Sequence, residues 1–510
     1  MTGGAGPGRP DTGVLFGPTG VQKERRFENG GQNAAGTIDR PVSERREEDA
    51  PGAVKRSDPG LQALFAPRGI AVIGASSTPG KLGAAMARSL ATFPGPVLLV
   101  NDRRADPAAG MHRSVAEAVA ASGAPVDLAV LCVPAAATAG ALAEAAGAGV
   151  RAALVCAGGF AEAGGAGLAH HIEVAAVVAA TGVRLLGPNT SGFLAPARHL
   201  VASFVPGATG IPPGRVSLVA GSGGILHAVA FLLAGADLGL HLGVGIGNAL
   251  DVTAADVLDH LAAEAAAGLG AVALHVEGVT DGRRLVEAVG RLSELVPVVA
   301  LVVGRNDVGD FARSHTGALT PSWRTARAAL RTAGAVLVDD ERELVDALVA
   351  LEVRLPVTGG EPALLRGERP RRRSAGSPDP AGQAARPGVG LVTGQAGPAV
   401  LFTDRLKTAG LSVPPLGDVT TTELAGLLPG LTHQGNPVDT GRPGDTFADV
   451  LTTVGSDPAI DLLAVYALLE PGAFDLTTAV RAATSRLGSE GPPIVVATGG
   501  PPADVAAARR

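Results

Sequence analysis

His315 lies in RSHTGAL (residues 313–319), a few residues past the apolar run VPVVALVVG and just ahead of the chain's only tryptophan, Trp323. Its small neighbours Ser314, Thr316 and Gly317 leave an imidazole accessible. A neutral imidazole can attack an activated phosphorus, and a covalent intermediate divides one hard transfer into two easier ones. Glu277 closes the apolar run AVALHV, where a strand delivers a single carboxylate to a sheet's edge. Such an acid can fix a histidine's tautomer and support its cationic state. GSGG, residues 221–224, follows VSLVA and opens a helical stretch, so backbone N–H groups around Ser222, Gly223 and Gly224 can close on an anion with the helix dipole adding attraction. Alone, each reads as well as a glycine turn, a solvated acid or a polar loop residue. Their coincidence at three strand ends points to chemistry on a phosphoryl group.

A fourth feature, AVIGASSTPGKLGAAMARSL, has the order strand, glycine loop, helix and suits a nucleotide pyrophosphate over a helix N-terminus. Its spacing is not G-x-G-x-x-G, because Ala75 and Ser76 follow Gly74, with Gly80 and Gly83 later. Asp102, closing PVLLVND, could hold a ribose as in dehydrogenases, but the failed spacing disfavours that reading.

The elements that must position these groups are short Val/Ile/Leu runs alternating with Ala/Leu-rich helical stretches. GIAVIGA, PVLLVND, DLAVLCVP, RAALVCAGG and VRLLGPN lack inside-outside alternation, which implies a parallel sheet covered on both faces. VSLVAGS, HLGVGIGN, AVALHVEG, VVALVVGR and AVLVDD predict a second parallel sheet, and GVGLVTG, DLLAVYALLE and PPIVVATGG a third, smaller one that stops too soon to carry a final helix. The expected division is a disordered tail (1–57), a Rossmann-like domain (58–188), a flavodoxin-like domain with the histidine loop (189–353), a flexible basic linker (354–388) and a second flavodoxin-like domain (389–510). The tail is too polar, and the linker too rich in Pro, Gly and Arg, to repay the entropy of ordering.

Across 510 residues, 46% are hydrophobic but only 3% aromatic, so the cores are built from Ala, Val and Leu. A net charge of −6, without aromatics interleaved among basic residues, excludes a nucleic-acid surface and disfavours an acidic membrane. Cys132 and Cys156, each inside an apolar run, read as small buried groups in a reducing compartment rather than a disulfide framework. With neither a signal-peptide pattern nor an apolar stretch long enough to span a bilayer, the expected location is the cytoplasm. No histidine spacing compels a metal site; His170, His171 and His260 read as surface or satisfied core residues, and His227, close behind GSGG, is a minor candidate for the phosphate site that one turn into a helix reads better as a packing or capping residue.

AVIGASSTPGKLG, VDLAVLCVP, GGFAEAG, LLGPNTSGFLAP, GIGNALDVTAADVLDHL, VEGVTDGRR and RSHTGAL occur in the order seen in NDP-forming acyl-CoA synthetases, which the chain resembles over most of residues 65–350. GLVTGQAGPAVLFTDRL and GNPVDTG resemble that family's second flavodoxin-like domain. The resemblance implies a first domain that binds coenzyme A through Gly74, Ala75, Ser76, Gly80, Lys81, Asn101, Val133 and Pro134, with Asn189 near the thiol end. It implies that His315 is the phosphorylated histidine, that Glu277 steadies it, and that Ser222, Gly223 and Gly224 hold phosphate. In the family, acyl-CoA and phosphate give an acyl phosphate, the histidine takes the phosphoryl group, and an ATP-grasp domain passes it to ADP; the reverse direction makes acyl-CoA.

Three departures accompany the match. Ala220 and Gly221 stand where the family has serine and glutamine, Asn101-Asp102-Arg103 where it has Asn-Pro-Lys, and nothing after residue 389 resembles an ATP-grasp fold. The expectation is therefore a CoA-binding, phosphohistidine-bearing subunit of an ADP-forming acid–thiol ligase. It would act on a small carboxylic acid or acyl-CoA, with ADP or ATP and magnesium held by a separate ATP-grasp subunit. The alternative is a non-catalytic protein that binds CoA or acyl-CoA in a regulatory role.

Overall fold

The structure, a computed structural model, describes residues 58–352 and 387–510, apart from 107, 109, 307–321, 431, 471–473 and 509–510. The expected tail (1–57), the RSHTGAL segment with His315 and nearly all of the expected linker lie outside the described residues.

Apolar runs, most of them buried, fold as strands of two to eight residues in three sheets. The first contains β1 (Ile70–Ile73), β2 (Val97–Val100), β3 (Met111–His112), β4 (Leu128–Leu131), β5 (Ala152–Val155) and β6 (Arg184–Leu186). They lie in the order β3-β2-β1-β4-β5-β6, all parallel, the doubly wound order of dinucleotide-binding folds. Every residue of β1, β4 and β5 is buried, as the absence of alternation requires.

The second sheet contains β7 (Gly192–Ala195), β8 (Leu200–Ser203), β9 (Pro213–Ala220), β10 (Leu240–Gly245), β11 (Ala271–Val276), β12 (Val298–Val302) and β13 (Val336–Val338). Its order is β13-β12-β11-β9-β10-β7-β8. The five strands from β9 to β13 are parallel and follow the flavodoxin-like order. The sheet is not wholly parallel as expected: β7 and β8 form an antiparallel hairpin, and β7 runs antiparallel beside β10. Those two strands have four residues each, joined by the single turn Pro196–Arg198, too short a pattern to separate from the preceding loop.

The third sheet, β14 (Val389–Thr393), β15 (Val438–Asp439), β16 (Leu462–Leu468) and β17 (Ile494–Gly499), is parallel in the order β15-β14-β16-β17. Contrary to the expectation of no final helix, a two-turn helix, Pro502–Ala508, follows β17.

Helix starts are set locally. Thr253 and Asp256 form a reciprocal capping box for Ala254–Glu264, and Asp281 caps Gly282–Ser293 through the Arg284 N–H. The second and third units share one apolar core, in which Ile225, Val229 and Leu233 pack with Leu391, Val400 and Tyr466. The opening helix, Pro59–Phe65, ties the first unit to the second: Phe65 meets Phe193 edge-on at 5.3 Å, and Arg184 pairs with Asp58 and, at 2.9 Å, with Asp251. Among the described residues, no helix is long and apolar enough to cross a membrane.

Candidate functional site

In a doubly wound sheet, connections leave in opposite directions at the point where strand order reverses, and a crevice opens beyond the strands' carboxyl ends. In the first sheet that point lies between β1 and β4. Gly74 ends β1 at φ +85°, with the Cys132 carbonyl and Val133 side chain against its Cα. Ala75, Ser76, Gly80 and Lys81 continue to the helix Leu82–Ser89, whose first N–H groups receive no side-chain cap from Lys81. Pro134 caps the helix after β4. Asn101 is spent inside this loop cluster: its amide donates to the Ala75 carbonyl at 2.7 Å and its oxygen accepts from the N–H groups of Arg103 and Arg104. It braces the loop after β1. The crevice therefore gathers all the residues expected to bind the cofactor except Asn189.

Asn189 sits beyond β6 in the left-handed region, at φ 59°. Its amide reaches Asn248 at 3.3 Å, and Asn248 donates in turn to Glu162, whose other oxygen accepts from the Gly159 N–H at 2.6 Å. This chain of polar groups joins the first unit to the second. Asn189 thereby faces a cavity of about 340 Å³.

In the second sheet the reversal lies between β9 and β11, which pair Ala220 with His275. The Gly221 N–H donates to the His275 carbonyl at 3.2 Å, and a Cβ built on Gly221 would stand 3.6 Å from the Cβ of Glu277. Glu277 is 3% exposed. It lines a cavity of about 130 Å³ with Gly221, His275, Asn248 and Arg284. The acid and the amide turn expected from the sequence are thus adjacent. His315, the third partner, lies outside the described residues.

Ser222 begins the helix Gly223–Gly235 without capping it by its side chain. The third unit brings a second helix end to the same place: Gln395 begins Ala396–Thr408, again without a side-chain cap. The two ends are close enough to exclude a side chain, since a Cβ on Gly397 would fall 2.0 Å from the Ser222 hydroxyl oxygen, and one on Gly224 2.9 Å from the Gln395 Cβ. Each helix N-terminus carries roughly half a positive charge, so both favour an anion in the 340 Å³ cavity they border.

Its far wall belongs to the third unit, where Arg442 is held by the buried Glu470 at 2.7 Å. Gln395, Arg442 and Glu470 were not singled out in the sequence. The strand-glycine-helix order of GLVTGQAG, which repeats that of VSLVAGSGG, is the signal that could have found the first of them.

His227 packs beneath this helix end, as the sequence suggested. Its Nδ1 lies 2.9 Å from the Gly223 carbonyl, which can only accept, so Nδ1 carries the proton and Nε2 accepts from the Ser203 hydroxyl at 2.9 Å. Complete burial pushes its pKa down to about 4 and keeps the ring neutral. Cys156 lines the same cavity, and a hydrogen bond from its thiol to Cys132, together with burial, raises its pKa. Among the described residues, no group of three His, Cys, Asp or Glu side chains is placed to hold a metal.

Comparison with known proteins assigns both crevices to described domain types. Residues 68–196 match the CoA binding domain family, and residues 213–351 the succinyl-CoA ligase like flavodoxin domain family. The alpha subunit of ADP-forming acetate–CoA ligase II from Pyrococcus furiosus is 29% identical over 408 residues, covering 79% of this chain and 81% of the relative. An ADP-forming acetate–CoA ligase of Methanocaldococcus jannaschii is 28% identical over 383 residues, covering 74% of this chain and about half (49%) of the relative. Among solved structures, the dinucleotide forming acetyl-coenzyme A synthetase 1 of Ca. Korarchaeum cryptofilum, in complex with phosphate and ADP, matches at 25% identity with a TM-score of 0.52, over 88% of this chain and 90% of that one. The fold and its two crevices thus define a CoA-binding unit followed by succinyl-CoA ligase-like units. The chain carries the CoA binding domain and the succinyl-CoA ligase like flavodoxin domain and is similar to alpha subunits of ADP-forming acetate–CoA ligases.

Proposed function

We propose that this chain is the CoA-binding, phosphohistidine-forming subunit of an ADP-forming acyl-CoA synthetase, an acid–thiol ligase, with nucleotide chemistry supplied by a separate ATP-grasp subunit. The observation that carries the proposal is the meeting of two uncapped helix N-termini at one cavity, with buried Glu277 packed against Gly221 just ahead of the first of them. The expected divisions at 58–188, 189–353 and 389–510 assign one crevice to each unit.

CoA would place its pyrophosphate over the Ser76–Lys81 loop and the helix behind it, and its thiol end toward Asn189. The 340 Å³ cavity then receives the thioester carbonyl on one side and inorganic phosphate at Ser222, Gly223 and Gly224 on the other. Phosphate oxygen attacks the carbonyl, the C–S bond breaks, and CoA leaves as the thiolate, taking a proton. The imidazole of His315 then attacks phosphorus in the acyl phosphate, the P–O bond to the acyl group breaks, and the carboxylate departs. Helix-end N–H groups oppose charge on the phosphoryl oxygens throughout. Glu277 stabilises the cationic phosphoimidazole.

Incubation with acetyl phosphate tests this reading through acid-labile phosphate mapped to His315. Labelling of the native chain that disappears in His315→Ala is the expected result. CoA binding without labelling would instead establish the regulatory alternative, which the donorless Ala220 and Gly221 favour.

A further inference from the structure

Asp404, on the third unit's helix Ala396–Thr408, is 9% exposed, and its carboxylate turns away from the cavity toward the loop after β12. It accepts from three consecutive backbone N–H groups: Gly304 at 2.8 Å and Arg305 at 2.9 Å on one oxygen, Asn306 at 2.8 Å on the other. Asn306 returns the contact, its side-chain amide donating to the Asp404 carbonyl and to the Thr408 hydroxyl, each at 3.0 Å. Next to it, Arg405 pairs with buried Asp340. Three successive N–H groups converging on one carboxylate form a nest, which fixes the φ and ψ angles of the residues that supply them.

The chain on the far side of residues 307–321 is fixed too. The Trp323 indole donates to the Val302 carbonyl at 2.9 Å, and the guanidinium groups of Arg305 and Arg327 lie over its ring, 5.2 and 4.7 Å from the ring centre. Arg305 therefore takes part in both attachments. By its N–H it belongs to the Asp404 nest, and by its side chain to the Trp323 stack.

We infer that Asp404 is a positioning residue for phosphoryl transfer: by holding residues 304–306, it lets the third unit set the point from which the chain runs to His315. The inference rests on the function proposed above. Mere docking of the third unit does not require it, because the shared apolar core and the Arg405–Asp340 pair already serve that end. A carboxylate aimed at the backbone of this one stem adds registration, and small errors of position in group transfer cost large factors in rate.

The test compares native chain, Asp404→Asn and Asp404→Glu in single-turnover labelling by acetyl phosphate, with CoA affinity and thermal unfolding measured alongside. Asn keeps an acceptor oxygen but cannot accept from all three N–H groups without presenting its own amide hydrogens to one of them. We expect labelling of Asp404→Asn to slow about tenfold to a hundredfold, CoA affinity to remain within about twofold of native, and Asp404→Glu to recover part of the rate. Labelling of Asp404→Asn at the native rate would overturn the inference. Should Asp404→Asn also lose CoA binding, Asn306→Ala decides, since it removes only two side-chain hydrogen bonds: slower labelling with normal CoA affinity sustains the inference, and a native rate ends it. Failure of the native chain to label would count against the proposed function instead.

Discussion

At the scale of single residues, burial and backbone partners decide which groups work on ligands and which hold the site in place. Asn101 reads from the sequence as a cofactor contact, yet its amide is committed to the Ala75 carbonyl and its oxygen to two backbone N–H groups. A sequence names the donor but not where it points. His227 was legible because its position one turn into a helix leaves few other roles, and its neutrality has a consequence for stability. Its folded pKa of about 4 lies below the ordinary histidine value of about 6.5, so between those values the unfolded chain binds the proton and the folded chain does not. Its stabilising contribution is complete above about pH 6.5 and declines as pH falls toward 4, by at most about 1.4 kcal/mol per unit. Desolvation shifts buried His260 in the same direction. Urea unfolding at pH 7 and pH 5 should therefore show native stability falling with pH, and a shallower fall in His227→Gln. Equal slopes in the two proteins would contradict the burial argument.

Among elements, what the sequence showed most clearly is what buried parallel strands require. VVALV carries no polar residue and AVALHV only His275, and each is a strand buried along its whole length. The β7–β8 hairpin stayed hidden because four-residue strands around one turn give no period to count, and its antiparallel pairing to β10 is a tertiary choice. The meeting of two helix ends was unreadable for the same reason: Gly394 to Gly397 announces a turn after a strand, while only packing brings it to Ser222. Gly397→Ala tests that contact, because the added methyl would meet the Ser222 hydroxyl at 2.0 Å and its Cβ at 2.6 Å. We expect a loss of about 1–3 kcal/mol in chemical denaturation, together with slower labelling of His315. A variant as stable and as fast as the native chain would show that the two helix ends do not depend on this approach.

For the molecule as a whole, three open sheets supply the site, and the helix ends that follow β9 and β14 border one cavity. The second and third units share one apolar core and the first and second share another, in which Met86, Leu90 and Leu154 pack with Phe193, Leu200 and Val244, while the opening helix, the Arg184 ion pairs and the Asn189–Asn248–Glu162 chain add further attachments of the first unit. This division suits a reaction in which a long substrate arrives from one unit and its phosphoryl group leaves along the others. The chemistry of the site was legible to the extent that motif residues fell at strand ends, as Glu277 and GSGG do. The contribution of the third unit, through Gln395, Asp404, Arg442 and Glu470, depended on how the units dock, which short motifs do not encode.

The most direct measurement supplies acetyl-CoA and radiolabelled inorganic phosphate to the purified chain without nucleotide, then follows free CoA thiol and phosphohistidine in the same sample. The account predicts that both appear together in equal amounts, that acetate accompanies them, and that His315→Ala yields no phosphohistidine. Thioester cleavage without phosphate on His315, or no cleavage by a chain that binds acetyl-CoA, would contradict it.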